Sequence, residues 1–219
     1  MARPVFWRSG AADAAPRLGH LDLDRPQVDA ARRDPARFDA LYRRYLAQVY
    51  SYAYYELGDH HAAEDATERT FLAALANLHR FTERAKPSDG EGASTFRVWL
   101  FRIARNIVAN ERRTAWRHPA DTLDERATSL ADAAAAADVE ATVVRRDEAG
   151  AAMAAVGRLT GDRRRALVLR FVDEMSTAEI AGVLGKSEGA VRVLIHRALR
   201  NVARDLGIDR PKERGRPGR

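Results

Sequence analysis

The chain has 219 residues, which is enough for one large domain or two small ones. It contains no cysteine, and this excludes disulfides and cysteine-ligated zinc sites. Lysine and arginine number 37 against 31 acidic residues, so the net charge is +6, and nearly all of the basic residues are arginines. Arginine is the better partner for phosphate and guanine, although an excess of arginine and alanine is also typical of a GC-rich genome.

The beginning of the chain has a charged residue or a proline every few positions and no apolar segment of the signal-peptide type. No run of about eighteen apolar residues occurs anywhere along it. We therefore expect a soluble, cytoplasmic protein without membrane insertion.

The charge is unevenly distributed along the chain. Residues 1–30 are neutral overall, residues 31–118 carry +4, residues 119–150 carry −5 and residues 151–219 carry +7. Two basic blocks separated by an acidic, alanine-rich stretch are typical of two domains joined by a linker.

Composition refines these boundaries. Residues 1–30 hold three prolines and lack helical periodicity, which predicts a disordered N-terminal extension. We expect domains at 31–118 and 140–206, joined by a flexible acidic linker at 119–139. Residues 207–219 form a basic tail.

In the first block the apolar residues recur at helical spacing. Asp34 and Asp59 are suited to cap helices that run to about Leu57 and Leu78. Residues 80–94 contain proline, two glycines and several charges, which predicts a long loop. A third helix is expected over 96–117.

The third helix is amphipathic in an unusual way. At 100° per residue its apolar side chains share one arc, while the opposite arc is rich in arginine and asparagine. Ordinary solvated helix faces mix charges of both signs, so a face of one sign favours a polyanionic partner. This guanidinium face comprises Arg102, Arg105, Asn106, Arg112, Arg113 and Arg117.

The second block predicts helices over 140–157 and 162–173, the latter capped by Asp162. A capping box follows at Ser176 and Glu179, a short helix ends at Gly185, and Ser187 caps a longer helix that runs to about Leu206. This succession of a short helix, a glycine-containing turn and a longer helix is the helix-turn-helix pattern. Since both blocks predict helices, we expect an all-α fold with a helix-turn-helix in the C-terminal domain.

The longer helix also has one apolar and one basic side. In a recognition helix the N-terminal residues contact base edges and the later ones contact phosphates. Glu188, Arg192, Val193 and His196 are therefore the candidate base contacts. Arg197, Arg200 and Arg204 are the candidate phosphate contacts, and the alternative is a basic surface helix without a DNA partner.

Together these segments resemble a known family. Conserved region two of bacterial RNA polymerase sigma factors is similar to FRVWLFRIARNIVANERRTAWR at 96–117, with AEDATERTFLAAL at 63–75 as the preceding helix. Region four is similar to RRRALVLRFVDEMSTAEIAGVLGKSEGAVRVLIHRALRNV at 163–202. A chain with only these two regions resembles the extracytoplasmic-function type.

The resemblance implies three sets of binding residues. The helix at 63–75 would grip the clamp of the largest polymerase subunit, through a clamp set of Asp65, Glu68, Arg69 and Leu72. The third helix and the loop before it would melt and bind the minus-ten element, through a minus-ten set of Arg97, Arg102, Arg105, Asn106, Asn110, Arg112 and Arg113. The recognition helix would bind the minus-thirty-five element, through a minus-thirty-five set of Ser187, Glu188, Arg192, Val193, His196, Arg197 and Arg200.

The implied partners are core RNA polymerase, through its clamp and flap, and promoter DNA. An anti-sigma factor is an optional third partner. The implied function is promoter recognition and DNA melting in transcription initiation. We expect no cofactor, no metal and no enzymatic activity, because no catalytic or metal-binding motif is present. The rival hypotheses are a stand-alone helix-turn-helix regulator, which would need a dimer and a palindromic site, and an adaptor that binds polymerase without DNA.

Overall fold

The structure is a computed structural model. It describes residues 21–89, 91–117 and 143–208. Within these ranges the regular secondary structure is helical, apart from one isolated bridge between Asp22 and Ser94. The all-α prediction is therefore confirmed. The linker predicted at 119–139 and most of the terminal segments lie outside the described residues.

The first helical region contains four α-helices and the second contains four more within the described residues. The helices of the first region are α1 (Arg25–Arg33), α2 (Asp39–Leu57), α3 (His60–Asn77) and α4 (Phe96–Arg117). The helices of the second region are α5 (Val143–Arg158), α6 (Asp162–Phe171), α7 (Thr177–Leu184) and α8 (Glu188–Asp205).

Helix α1 corrects the prediction of disorder for its part of residues 1–30. Pro26 lies in its first turn, where a missing N–H costs nothing, and Val28 and Ala31 are buried one turn apart. Two small apolar residues gave too weak a periodicity to predict this helix. The buried Asp24 before it accepts a hydrogen bond from the Tyr45 hydroxyl. The other oxygen of its carboxylate lies 2.9 Å from Nε of Arg44.

The predicted capping residues largely account for the helix ends. The Asp59 carboxylate accepts a hydrogen bond from the Ala62 amide at 2.7 Å, and Ser176 and Glu179 form a complete capping box. Asp34 instead caps a 3₁₀ turn, Pro35–Phe38, that precedes α2. Asp162 is the first residue of α6 rather than its cap.

The hydrophobic core runs continuously through both regions. The apolar face predicted for α2 is buried, with Leu41, Tyr45 and Tyr52 at 0% exposure. Leu169 and Ile180, from the second region, belong to the same buried cluster. The two regions are therefore packed together.

Candidate nucleic-acid and polymerase interfaces

The helix-turn-helix of α7 and α8 presents an exposed polar face. Gly185 ends α7 in a left-handed conformation (φ 67°), and the Ser187 hydroxyl accepts a hydrogen bond from the Ala190 amide to begin α8. Val191 and Ala198 anchor the opposite side of α8 in the core. Every member of the minus-thirty-five set is exposed.

Two members of this set interact with each other. The Arg192 guanidinium lies 3.6 Å from the Glu188 carboxylate one turn earlier, and both side chains are more than half exposed. Val193, beside them, is 48% exposed. An apolar side chain between polar ones suits the edge of a base pair, where thymine offers a methyl group.

Two arginines of the guanidinium face of α4 form hydrogen bonds to the second region. Nε of Arg102 donates to the Gly182 carbonyl at 2.6 Å, and the Arg105 guanidinium donates to the Val183 carbonyl at 2.7 Å. Both acceptors belong to the last turn of α7, where helix carbonyls lack intrahelical partners. These arginines thus contact protein acceptors in this conformation.

Arg97 is a correction to the predicted surface. Its side chain is buried, where it donates to the Asp173 carbonyl and lies 3.5 Å from the Glu179 carboxylate. On the helical wheel Arg97 falls about 220° from Arg102, at the border of the apolar arc. That position faces α7 rather than solvent.

Arg112 is held by a buried carboxylate on α2. The Glu56 side chain is fully buried and lies 3.0 Å from Arg112, 3.3 Å from Arg164 and 3.4 Å from Arg165. Two of these arginines come from α6, so Glu56 joins both regions. The sequence offered no signal for this residue beyond its place near the end of α2.

The remaining members of the minus-ten set, Asn106, Asn110 and Arg113, are exposed. Arg113 donates a hydrogen bond to the Asn110 side-chain oxygen. Asn106 and Asn110 line an open pocket of about 370 Å³ between α3 and α4.

This pocket includes residues that the sequence analysis did not assign to a site. Asn77 and Arg80 contribute polar groups, and Trp99 contributes an aromatic ring. The ring of Trp99 packs against Phe81 and Phe96 with centroids 5.3 Å and 5.7 Å away. An aromatic surface can stack on an unpaired base, and amide groups beside it can form hydrogen bonds to that base.

The long loop between α3 and α4 is organised by Glu83. Its carboxylate accepts hydrogen bonds from the Ala85 amide at 2.9 Å and from the Thr95 amide at 2.8 Å. Burial opposes ionisation, but hydrogen bonds from the Ser94 hydroxyl and from these groups lower the pKa of Glu83 to about 2. The ionised carboxylate therefore ties the middle of the loop to the residue that precedes α4 at neutral pH.

The clamp set lies on the outer face of α3 and is exposed throughout. Leu72 is 57% exposed and borders an apolar groove of about 450 Å³ between α2 and α3. Tyr42 and Leu75, which the sequence analysis did not select, line the same groove. Leu72 and Leu75 lie about one helical turn apart and outside the buried face of α3. This spacing in the sequence could have predicted the groove.

The described residues contain no cluster of histidine and acidic side chains that could hold a metal ion. Among the helices described here, none is both long and apolar enough to cross a membrane.

Comparison with known families finds two matches along the chain. The family described as Sigma-70 region 2 matches residues 41–118, and the family described as Sigma-70, region 4 matches residues 149–202. Both matched segments fall within the two predicted domains.

Individual relatives carry the same description. The ECF RNA polymerase sigma factor SigL of Mycobacterium tuberculosis is 31% identical over 83% of this chain and 97% of its own length. The ECF RNA polymerase sigma factor BldN of Streptomyces coelicolor is 35% identical over 78% of this chain, but the match spans only 61% of BldN. Among solved structures, CnrH in complex with the cytosolic domain of CnrY has a TM-score of 0.58 and 25% identity, covering 86% of this chain and all of CnrH.

Proposed function

The chain belongs to the extracytoplasmic-function family of RNA polymerase sigma factors, and we propose that it binds core RNA polymerase, directs it to specific promoters and promotes melting of their DNA. The observation that carries this proposal is the presence, in one chain and in this order, of a region-two match and an exposed recognition helix. A stand-alone helix-turn-helix regulator would not require the first region.

The upstream promoter element is the proposed ligand of α8. The minus-thirty-five set occupies its exposed face, with Glu188, Arg192, Val193 and His196 toward base edges. Arg197 and Arg200, further along the helix, would contact phosphates. The basic side of α8 supplies the nonspecific attraction that brings the duplex to this face.

The minus-ten element is the proposed ligand of α4 and the adjacent pocket. Asn106 and Asn110 border the pocket, where an unstacked base of the melted strand would rest against Trp99. The exposed part of the minus-ten set and the guanidinium face would hold the phosphates. Arg97 is assigned to the packing of the two regions instead.

The polymerase clamp is the proposed partner of α3. The clamp set gives an exposed surface of mixed charge next to an apolar groove, a combination suited to a protein rather than to DNA. The flap is proposed as a second contact, made by the C-terminal domain. CnrH is solved in complex with the cytosolic domain of another protein, CnrY, and we also propose a protein partner for this chain, of the anti-sigma class that the family resemblance implies.

The protein performs no chemistry of its own in this proposal and acts in the cytoplasm, where RNA polymerase works. The test is run-off transcription with purified core polymerase, on templates identified by mapping transcription start sites after overexpression. We expect transcripts from discrete promoters only when core polymerase and this protein are both present.

The control separates the sigma factor from its rivals. If core polymerase with this protein starts no promoter-specific transcript, while the protein alone binds a palindrome as a dimer, the regulator hypothesis replaces this one. Polymerase binding without a promoter footprint would instead indicate an adaptor.

A further inference from the structure

We propose that residues 22–25, which we call the strap, hold the loop between α3 and α4 in the conformation that receives the melted minus-ten strand, with Arg25 as the positioning residue. The proposal rests on the function proposed above, in which that strand binds beside α4. Neither the strap nor Arg25 belongs to the sets that the sequence analysis assigned to DNA or to polymerase.

Main-chain hydrogen bonds place the strap against the end of the loop. The Ser94 amide donates to the Asp22 carbonyl at 2.9 Å, and the Arg25 amide donates to the Gly92 carbonyl at 3.0 Å. Asp22 and Ser94 form the isolated bridge of the fold, and its two segments are antiparallel. The strap and the end of the loop therefore lie side by side directly before α4 begins.

The Arg25 side chain connects the two arms of the loop. Its Nε donates to the Ala93 carbonyl at 3.1 Å, and a terminal nitrogen donates to the Ala85 carbonyl at 3.2 Å. A planar guanidinium has several donors in a fixed geometry, so it suits such a bridge better than the single ammonium group of lysine. One side chain outside the loop thus sets the separation of its arms.

The strap is itself attached to α2. The Tyr45 hydroxyl lies within hydrogen-bonding distance of Asp22, at 2.8 Å, and of the fully buried Asp24. Nε of Arg44 lies 2.9 Å from the Asp24 carboxylate. A buried carboxylate needs such partners, because burial without them is unfavourable. The core of the first region therefore fixes the position of the strap, and the strap fixes that of the loop.

The loop presents two basic side chains to solvent in this position. Arg84 and Lys86 are exposed, and the Asp89 carboxylate accepts a hydrogen bond from the Lys86 amide at 2.7 Å. The Ala85 carbonyl, which accepts from Arg25, lies between these two cations in the sequence. The strap thereby positions two groups suited to the phosphates of a single strand.

The strap also reaches the start of α4 through Ser94. The amide of Ser94 bonds to the strap, and its hydroxyl accepts a hydrogen bond from the Phe96 amide at 3.1 Å. The Phe96 ring packs against Trp99 of the proposed base pocket, with centroids 5.7 Å apart. Loosening the strap should therefore disturb the pocket as well as the loop.

Hydrogen exchange of the free full-length protein tests whether Arg25 holds the loop, without reference to DNA. Arg25→Ala removes both side-chain contacts, and Arg33→Ala is the matched control, because Arg33 is an exposed arginine in the last turn of α1. We expect amides of residues 82–95 to exchange about tenfold faster in Arg25→Ala, with the exchange of α2 and α3 unchanged. Equal exchange of the loop in both variants would overturn the proposal.

Promoter binding then tests the consequence for minus-ten recognition. Holoenzymes of wild type, Arg25→Ala and Arg33→Ala are titrated with forked DNA that has a duplex upstream element and a single-stranded minus-ten strand, with each base varied in turn. We expect Arg25→Ala to bind about tenfold more weakly and to discriminate less between minus-ten bases, with its preference at the upstream element unchanged.

The outcomes separate positioning from a general loss of structure. Unchanged minus-ten discrimination despite a loosened loop overturns the positioning role, and so does an equal loss of discrimination at both elements. If wild type starts no promoter-specific transcript while loop exchange responds to Arg25→Ala as expected, the proposed sigma function fails. The contact between strap and loop would then stand, but its role in minus-ten recognition would be overturned.

A second pair of variants covers the case in which Arg25→Ala does not fold. Gly92 has a φ of 76°, and a Cβ built on it would lie 3.8 Å from the Leu23 Cβ, which is ordinary contact. Gly92→Ala therefore strains the loop backbone without a clash and without changing the strap. Gly207→Ala is the control, at a φ of 68° where an added Cβ meets no atom within 4 Å. Only Gly92→Ala should reduce minus-ten discrimination, and equal discrimination by both variants would overturn the proposal.

Discussion

Helices α4 and α8 look alike in sequence and differ in their surroundings. Each has an apolar side in the core and a basic side opposite to it. On α8 the basic side is exposed, and Arg192 pairs with Glu188 of its own helix. On α4, Arg102 and Arg105 are bonded to carbonyls of the other region. A charge pattern thus predicts a binding surface, but it does not tell which of its side chains also bond to another part of the protein.

The largest expected effect comes from removing the carboxylate that joins the two regions. Glu56→Ala leaves three arginines without their buried counter-charge, so the free energy of unfolding should fall by about 3–5 kcal/mol. Urea denaturation measures it, with Glu64→Ala on the exposed part of α3 as the control. A loss as small as that of the control would show that Glu56 does not hold α4 and the second region together.

The contact between α4 and the second region should also depend on pH through Asp173. Burial raises the pKa of this carboxyl from its ordinary value of 3.8 to about 8, although the Arg97 guanidinium partly opposes the shift. Burial raises the pKa of the phenols of Tyr52 and Tyr55 on α2, and the negative charge of the same carboxylate is a smaller cause for each.

Because the folded state binds this proton more tightly than the unfolded state, the contribution of Asp173 to stability falls as pH rises from about 4 to about 8. Each unit by which the pKa is raised corresponds to about 1.4 kcal/mol. Asp173→Asn should flatten this part of the stability profile, as measured by urea unfolding at several pH values. An unchanged slope would indicate that the carboxyl is solvated and that the regions are apart in solution.

On α8, Arg192→Ala should weaken binding to the upstream element and relax specificity at one base pair. If Arg192 contacts guanine through two hydrogen bonds, the binding free energy should fall by about 1–3 kcal/mol. The measurement is binding to a library of duplexes by the holoenzyme. Arg163→Ala removes an exposed arginine from α6 and is the matched control. An unchanged sequence preference would remove Arg192 from the base contacts.

The smallest effect is expected at the clamp set on the exposed face of α3. Glu68→Arg should weaken core polymerase binding by about 1 kcal/mol or more with little change in stability, because Glu68 is exposed on α3. Pull-down and titration of core polymerase measure this effect, and Asp29→Arg on α1 controls for the change in charge. Normal binding by the Glu68 variant would contradict the clamp assignment.

Much of the fold was accessible from local patterns. The buried face of α2, the caps at Asp59 and Ser187 and the turn at Gly185 depend on residues a few positions apart, and periodicity and capping chemistry predict them. Helix α1 was missed because its stability depends on tertiary contacts such as that of Asp24 with Tyr45.

The candidate site was predicted less completely for a similar reason. Arg97 meets Glu179 across 82 positions of sequence, and no local pattern distinguishes such an arginine from one that faces DNA. The pocket beside Trp99 likewise combines α3 with α4. Helical wheels identify the polar side of each helix, whereas the partner of that side depends on how distant helices pack.

The absence of a side chain at Gly182 has a consequence for how this chain can vary. A methyl group at this position would lie 2.7 Å from Cγ1 of Val98 on α4, so a larger residue at 182 requires a smaller one at 98. We therefore expect positions 98 and 182 to covary among related chains in which the two regions pack together.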